Sequence, residues 1–178
     1  MFLIPGVLFA LLTFPGVICH RIARRFFCNL AGIRVYKVSY FLVPKGEPPV
    51  THGPIDTFES AFLITIGPVI LNSALCSLIS FSAVIPVFVL QVEKTTFLSG
   101  LLIWLGISMG MNAFPTKSDM DDFNAVVMKM PPGPLNFFGK WCAGMISVVG
   151  VLKIFWFDAI YALLVTWFVP VLMFGFWA

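Results

Sequence analysis

The chain has 178 residues, of which 60% are hydrophobic and 11% charged, and its net charge is +3. A soluble domain averages about 45–50% apolar and about 25% charged residues, so this composition excludes an ordinary water-soluble globule. The mean hydropathy of +0.99 points the same way, and no basic stripe suggests a nucleic-acid partner.

Met1 to Cys19 has no basic leading region and no small-x-small site before His20, so it reads as an uncleaved anchor. A spanning helix needs about 20 mostly apolar residues. Residues 2–30 supply the first, with Pro5 and Pro15 inside it and Ala31-Gly32 as its stop. Ile33 to Val43 mixes β-branched and aromatic residues with polar ones in alternation. Pro44 to Pro49 is a turn and Val50-Thr51-His52 a returning strand, so a β-hairpin over 33–52 is predicted at the membrane surface.

Phe58 to Val92 is longer than one perpendicular helix needs, and it divides most simply into a tilted span over 58–82 and a tail bent at Pro86. Gln91 to Thr95 reads as a polar turn. A third span over 97–113 carries Gly106 and Gly110 at small-xxx-small spacing, which permits close helix contact. Residues 114–140, with Pro131-Pro132-Gly133-Pro134, read as the main polar loop. Lys153 and Asp158 break the last stretch into a partly interfacial helix and a final span over 155–177. The chain is thus predicted to be mainly α: a single polytopic membrane domain of about four spans, with a small β-hairpin after the first helix.

Arg21, Arg24, Arg25, Arg34, Lys37, Lys45, Lys117, Lys129 and Lys140, nine of the eleven cations, fall at the end of the first span or in the loops after the first and third spans. The excess of Lys and Arg marks that side as cytoplasmic, which places loops 31–57 and 114–140 inside and the N-terminus outside. Twenty Phe and five Trp suit lipid contact and the interfacial belt. Cys19, Cys28, Cys76 and Cys142 form no CxxC pair and read as buried free thiols.

The chemistry-bearing residues gather near the end of the first span. A helix puts His20 and Arg24 one turn apart on one face. Zinc metallopeptidases place the two histidines of HExxH at that spacing, with the glutamate as general base. Here the stretch reads His20-Arg21-Ile22-Ala23-Arg24.

Phe14-Pro15-Gly16-Val17-Ile18-Cys19-His20 resembles the entry to the zinc motif of small membrane metalloproteases of the site-2 protease family. Leu30-Ala31-Gly32-Ile33-Arg34-Val35-Tyr36 is similar to the hairpin that follows that motif. Glu59 to Pro68, with Asn72 after it, looks like the family's Gly-Pro…Asn segment. Met111-Asn112-Ala113-Phe114-Pro115, leading to Ser118-Asp119, resembles the region that supplies the third zinc ligand. Phe155-Trp156-Phe157-Asp158-Ala159-Ile160-Tyr161 is similar to the tail of the same subgroup.

The resemblance implies that His20 stands at the first zinc histidine, Arg21 at the catalytic glutamate, Arg24 at the second histidine and Asp119 at the carboxylate ligand. It also makes Gly67, Pro68 and Asn72 the residues of a retained groove for a partner. An arginine neither ligates a metal nor accepts a proton, so the metal-bound hydroxide and the proton shuttle are both lost. The expectation is a pseudoprotease: no catalytic residue, no cofactor, and a scaffold role toward other integral membrane proteins and lipid. The alternative is an active zinc protease using His20, Asp119 and a third ligand such as His52.

Two readings of the arginines stand side by side. Arg21 or Arg24 forms ion pairs with Asp119 or Asp122 in place of the metal, or the cluster marks the cytoplasmic helix end and touches lipid phosphates. His52 is expected at the surface, although it lies within reach of the site. Asn72 either contacts an unwound substrate or hydrogen-bonds a neighbouring helix. Glu59 suits a helix start, and Asp158 suits pairing with Lys153.

Overall fold

The computed structural model describes residues 11–40, 48–91, 94–153 and 156–177. Among them are six helices and one two-stranded sheet: α1 (Phe14–Leu30), β1 (Val35–Val38), β2 (Val50–His52), α2 (Phe58–Val84), α3 (Phe97–Met111), α4 (Lys117–Lys129), α5 (Pro134–Leu152) and α6 (Phe157–Trp177). The end of the predicted first strand (41–43), residues 44–47 of the predicted turn, the start of the first span, and Val92 and Glu93 of the predicted polar turn lie outside the described residues.

Three helices are long and apolar enough to cross a membrane: Phe58–Val89, Pro134–Leu152 and Phe157–Gly175. The third predicted span is a fifteen-residue helix, α3. At 1.5 Å per residue it is about 22 Å long, short of the roughly 30 Å hydrocarbon core. The described helices thus supply three full-length spans, and the first predicted span begins outside the described residues. α2 begins on Thr57, whose hydroxyl accepts from the Ser60 amide at 3.3 Å, with Glu59 in its first turn. It runs on through a π-helical turn, Ile85–Val89, that contains Pro86. Proline has no N–H to donate, which suits it to this widened turn.

The hairpin forms where predicted, antiparallel, with Val35 opposite His52 and Val38 opposite Val50. The predicted polar loop over 114–140 does not. It folds into α4, a short turn and the first part of α5. The Thr116 amide donates to Asp119 Oδ2 at 2.7 Å, while Asp119 in the first turn and Lys129 in the last complement the helix dipole. Phe123, Val126 and Val127 share one face of α4 and pack in one core cluster with Ala61 of α2 and Cys142 and Ile146 of α5. Asn136 closes the corner by donating to the carbonyls of Val127 and Met130 at 3.3 and 3.0 Å.

Small residues set the helix spacing. A Cβ on Gly106 would overlap the Ser80 hydroxyl of α2, and one on Gly110 would come 2.9 Å from Ala162 Cα of α6. The glycine face read from the sequence is thus used twice, against two different helices. Gly16 of α1 is closer still, since a Cβ there would overlap the Ser108 carbonyl of α3. The Gly16 amide donates to Ser108 Oγ at 2.9 Å, and that hydroxyl donates to the Thr13 carbonyl at 3.0 Å.

Gly144 of α5 has nothing within 4 Å of an added Cβ, which makes it a control for Gly16. Gly144→Ala is expected to raise stability by about 0.5–1 kcal/mol, because alanine loses less backbone entropy in a helix. Gly16→Ala is expected to lower it by about 1–3 kcal/mol through overpacking. Chemical unfolding in detergent, followed by tryptophan fluorescence, measures both.

Candidate functional site

α1, the hairpin and α4 bring the predicted residues together. Arg24 is 2% exposed. Its Nη1 is ion-paired with Asp119 Oδ1, and its Nη2 donates to Asp122 Oδ2 at 2.6 Å. Asp119 and Asp122 lie three residues apart on one face of α4, so a single guanidinium bridges both carboxylates. His52, at the end of β2, lies 3.2 Å from the same Asp122 oxygen through Nε2 and hydrogen-bonds the Gly53 carbonyl through Nδ1 at 2.8 Å. The expectation of a surface histidine is corrected: its side chain is 9% exposed, because the hairpin folds back over α4.

His20 occupies the next turn of α1. The Asn72 amide donates to its Nδ1 at 3.3 Å, which leaves the ring proton on Nε2, facing Asp119 Oδ2 at 3.4 Å. Asn72 also donates to the Asn112 carbonyl at 3.5 Å, so it tethers α1 and the end of α3 to α2. Asp119 thereby meets Arg24, His20 and the Thr116 amide at once. Arg21 reaches neither aspartate. It donates to the Ser39 carbonyl beyond β1, while Arg25 donates to the Tyr40 hydroxyl at 2.8 Å, so the two arginines anchor the hairpin to α1. Gly67 faces the Phe27 ring and Pro68 is fully buried, so neither they nor Asn72 lines the cavity beside the site.

That cavity, about 210 Å³, lies between α1, β2, the α3–α4 connection and the start of α6. Lys153, just after α5, lines it and donates to the Phe114 and Pro115 carbonyls at 3.4 and 3.0 Å. Its ammonium is 3.9 Å from Asp158 Oδ2, close enough to attract but beyond a hydrogen bond.

The donor set is a poor fit to zinc. A zinc site needs at least three protein ligands, and among the described residues no three His, Cys, Asp or Glu side chains converge. His20 and Asp119 are spaced as two ligands would be, but Arg24 brings a fixed positive charge to the same carboxylate. A dication beside it meets repulsion in a water-poor site. No family model, no curated protein and no solved structure matches this chain.

Helical spacing pointed to His20 and Arg24, and the resemblance pointed to Asp119. The Thr116 cap was missed, although Thr-x-x-Asp ahead of an apolar face is a signal for it. The Ser108 link to Gly16 and the Lys153 link to two carbonyls carry no local signal, because both depend on distant backbone.

Removing Arg24 leaves Asp119 buried and unpaired, so Arg24→Ala is expected to cost about 3–5 kcal/mol. Arg24→Ala with Asp119→Ala should lose clearly less than the sum of the single changes. Additive losses in unfolding experiments would rule out the direct pair. Arg24→Lys should rescue only partly, because an ammonium cannot fork onto two carboxylates.

Burial alone raises the Asp122 carboxyl, but the hydrogen bond with His52 and the Arg24 charge outweigh it and hold it below the usual value. A depressed carboxylate contributes stability above its unfolded pKa and loses it as pH falls through the folded one. The acid limb of the stability curve, below about pH 4, should therefore steepen in the native protein and flatten in Asp122→Asn.

Proposed function

We propose that this chain is a non-catalytic, multi-pass membrane protein with a site-2-protease-like core. Its role is to hold another integral membrane protein as a scaffold subunit. The reading rests on one observation: Arg24, one turn from His20, binds both Asp119 and Asp122 at the place where a metal would otherwise join a histidine to a carboxylate. A guanidinium there does the mechanical part of a metal's work, linking α1 to α4, and none of its chemistry. Retention of the scaffold without the reaction fits a holder rather than a cutter. Polytopic insertion, with the hairpin and α4 on the cytoplasmic side, belongs to the same proposal. The contact between His52 and Asp122 supports it by joining the two segments that the charge count assigns to that side.

Reversal of the substitutions is the test. Arg21→Glu with Arg24→His rebuilds a His-Glu-x-x-His stretch facing Asp119. The purified double variant is expected to bind about one zinc per chain, while the native protein binds far less. Stoichiometric zinc in the native protein would sink the proposal, and so would a double variant that folds and takes up none. The holder role predicts that a photocrosslinker at exposed Trp141 or Phe137, in native membranes, yields one discrete adduct with a different membrane protein. Adducts with lipid only would refute it.

A further inference from the structure

Beyond the Arg24–Asp119 ion pair, three residues that line the cavity beside the site carry a buried polar atom without a hydrogen-bond partner: Arg24 at Nε, Asp158 at Oδ1 and Thr116 at its hydroxyl. Arg24 uses both terminal nitrogens on carboxylates, yet its Nε–H has no partner. Asp158 is 7% exposed, and its Oδ1 has no partner either. Both residues line the same cavity. A buried donor and a buried acceptor left unpaired each cost about 1–3 kcal/mol, more when charged, so such a pair calls for an occupant.

The charge balance restricts what that occupant is. Arg21, Arg24 and Lys153 line the cavity, as do Asp119 and Asp158, while Asp122 compensates Arg24 from outside it. A bare anion near Arg24 meets the field of Asp119 and Asp158. A bare cation near Asp158 meets Lys153 and both arginines. A molecule that carries both charges meets neither penalty. The volume of about 210 Å³ exceeds the share of a single water, about 30 Å³, roughly sevenfold. It admits a molecule of a few heavy atoms.

We infer that this cavity binds a small zwitterion, its carboxylate taking the Arg24 Nε–H and its ammonium taking Asp158 Oδ1. The simplest member of the class is a free α-amino acid with a small side chain. The inference needs only the cavity and its lining, and it stands whether or not the chain holds a membrane partner. Lys153 is the positioning residue: its bonds to the Phe114 and Pro115 carbonyls draw its ammonium from Asp158 and leave that carboxylate for the ligand.

The test uses the purified full chain in detergent, with thermal unfolding and calorimetric titration against glycine and L-alanine. Propionate and ethylamine, each carrying one of the two charges, are the controls. Glycine or alanine is expected to bind saturably and raise Tm, with neither control doing so at the same concentration. Asp158→Asn should weaken amino-acid binding by about tenfold or more, the worth of a charge-assisted hydrogen bond. No response to either amino acid would mean that the cavity holds water only. A response to propionate alone would make it an anion site, and full affinity in Asp158→Asn would exclude the assigned contact. Each of these overturns the inference. If Asp158→Asn does not fold, the comparison of whole and half ligands on the native protein decides the matter alone.

Discussion

A single buried guanidinium organises the centre of this protein. Arg24 lies on a helix whose other buried positions are Gly16, His20, Ala23 and Cys28, and it cannot shed its charge. Burial is tolerable only because α4 supplies two carboxylates within reach. That requirement fixes α4 against α1. His20, Asn72 and the Thr116 amide then satisfy what remains around Asp119. An ion pair of this kind adds little net stability compared with a well-packed apolar pair, but it penalises every arrangement that separates its members. Its contribution is to the choice of one packing over others.

The remainder of the bundle is built to let that pairing happen. Close backbone approach at Gly16, Gly106 and Gly110 draws α1, α3 and α6 onto their neighbours. In a lipid solvent, where apolar burial drives helix association weakly, such contact and a few interhelical hydrogen bonds carry much of the packing. Ser108 does this twice, taking the Gly16 amide and giving its proton to Thr13. The α5 helix differs: its outer face shows Phe137, Trp141, Met145 and Val148, and its inner face meets α4 through Cys142 and Ile146. The polar centre and the apolar exterior are thus separated by one layer of helix.

Much of this was legible from residue order alone. The apolar lengths gave α2 and α6, alternation gave the hairpin, and helical spacing put His20 and Arg24 on one face. What escaped has identifiable causes. α4 was hidden because its charged residues, Lys117, Asp119, Asp121, Asp122 and Lys129, look like a solvated loop until the buried stripe of Phe123, Val126 and Val127 is seen between them. His52 was read as exposed because a strand of three residues says nothing about what it folds over. The choice between Arg21 and Arg24 was equally closed to inspection. It turns on which side of α1 faces α4, and the helix answers that only after packing. Lys153 belongs to the same group, since its partners are carbonyls and every residue has one.

The order in which the chain is made gives the Arg24 bridge a temporal side. Its second carboxylate, on Asp122, lies 98 positions further along the polypeptide. At a ribosome's pace of about 5–20 residues per second, α1 waits on the order of 5–20 s for α4 to emerge. During that interval a permanently charged group lacks the two carboxylates that pair with it in the finished fold. Final seating of the first helix is therefore a late event in biogenesis, gated by synthesis of the fourth.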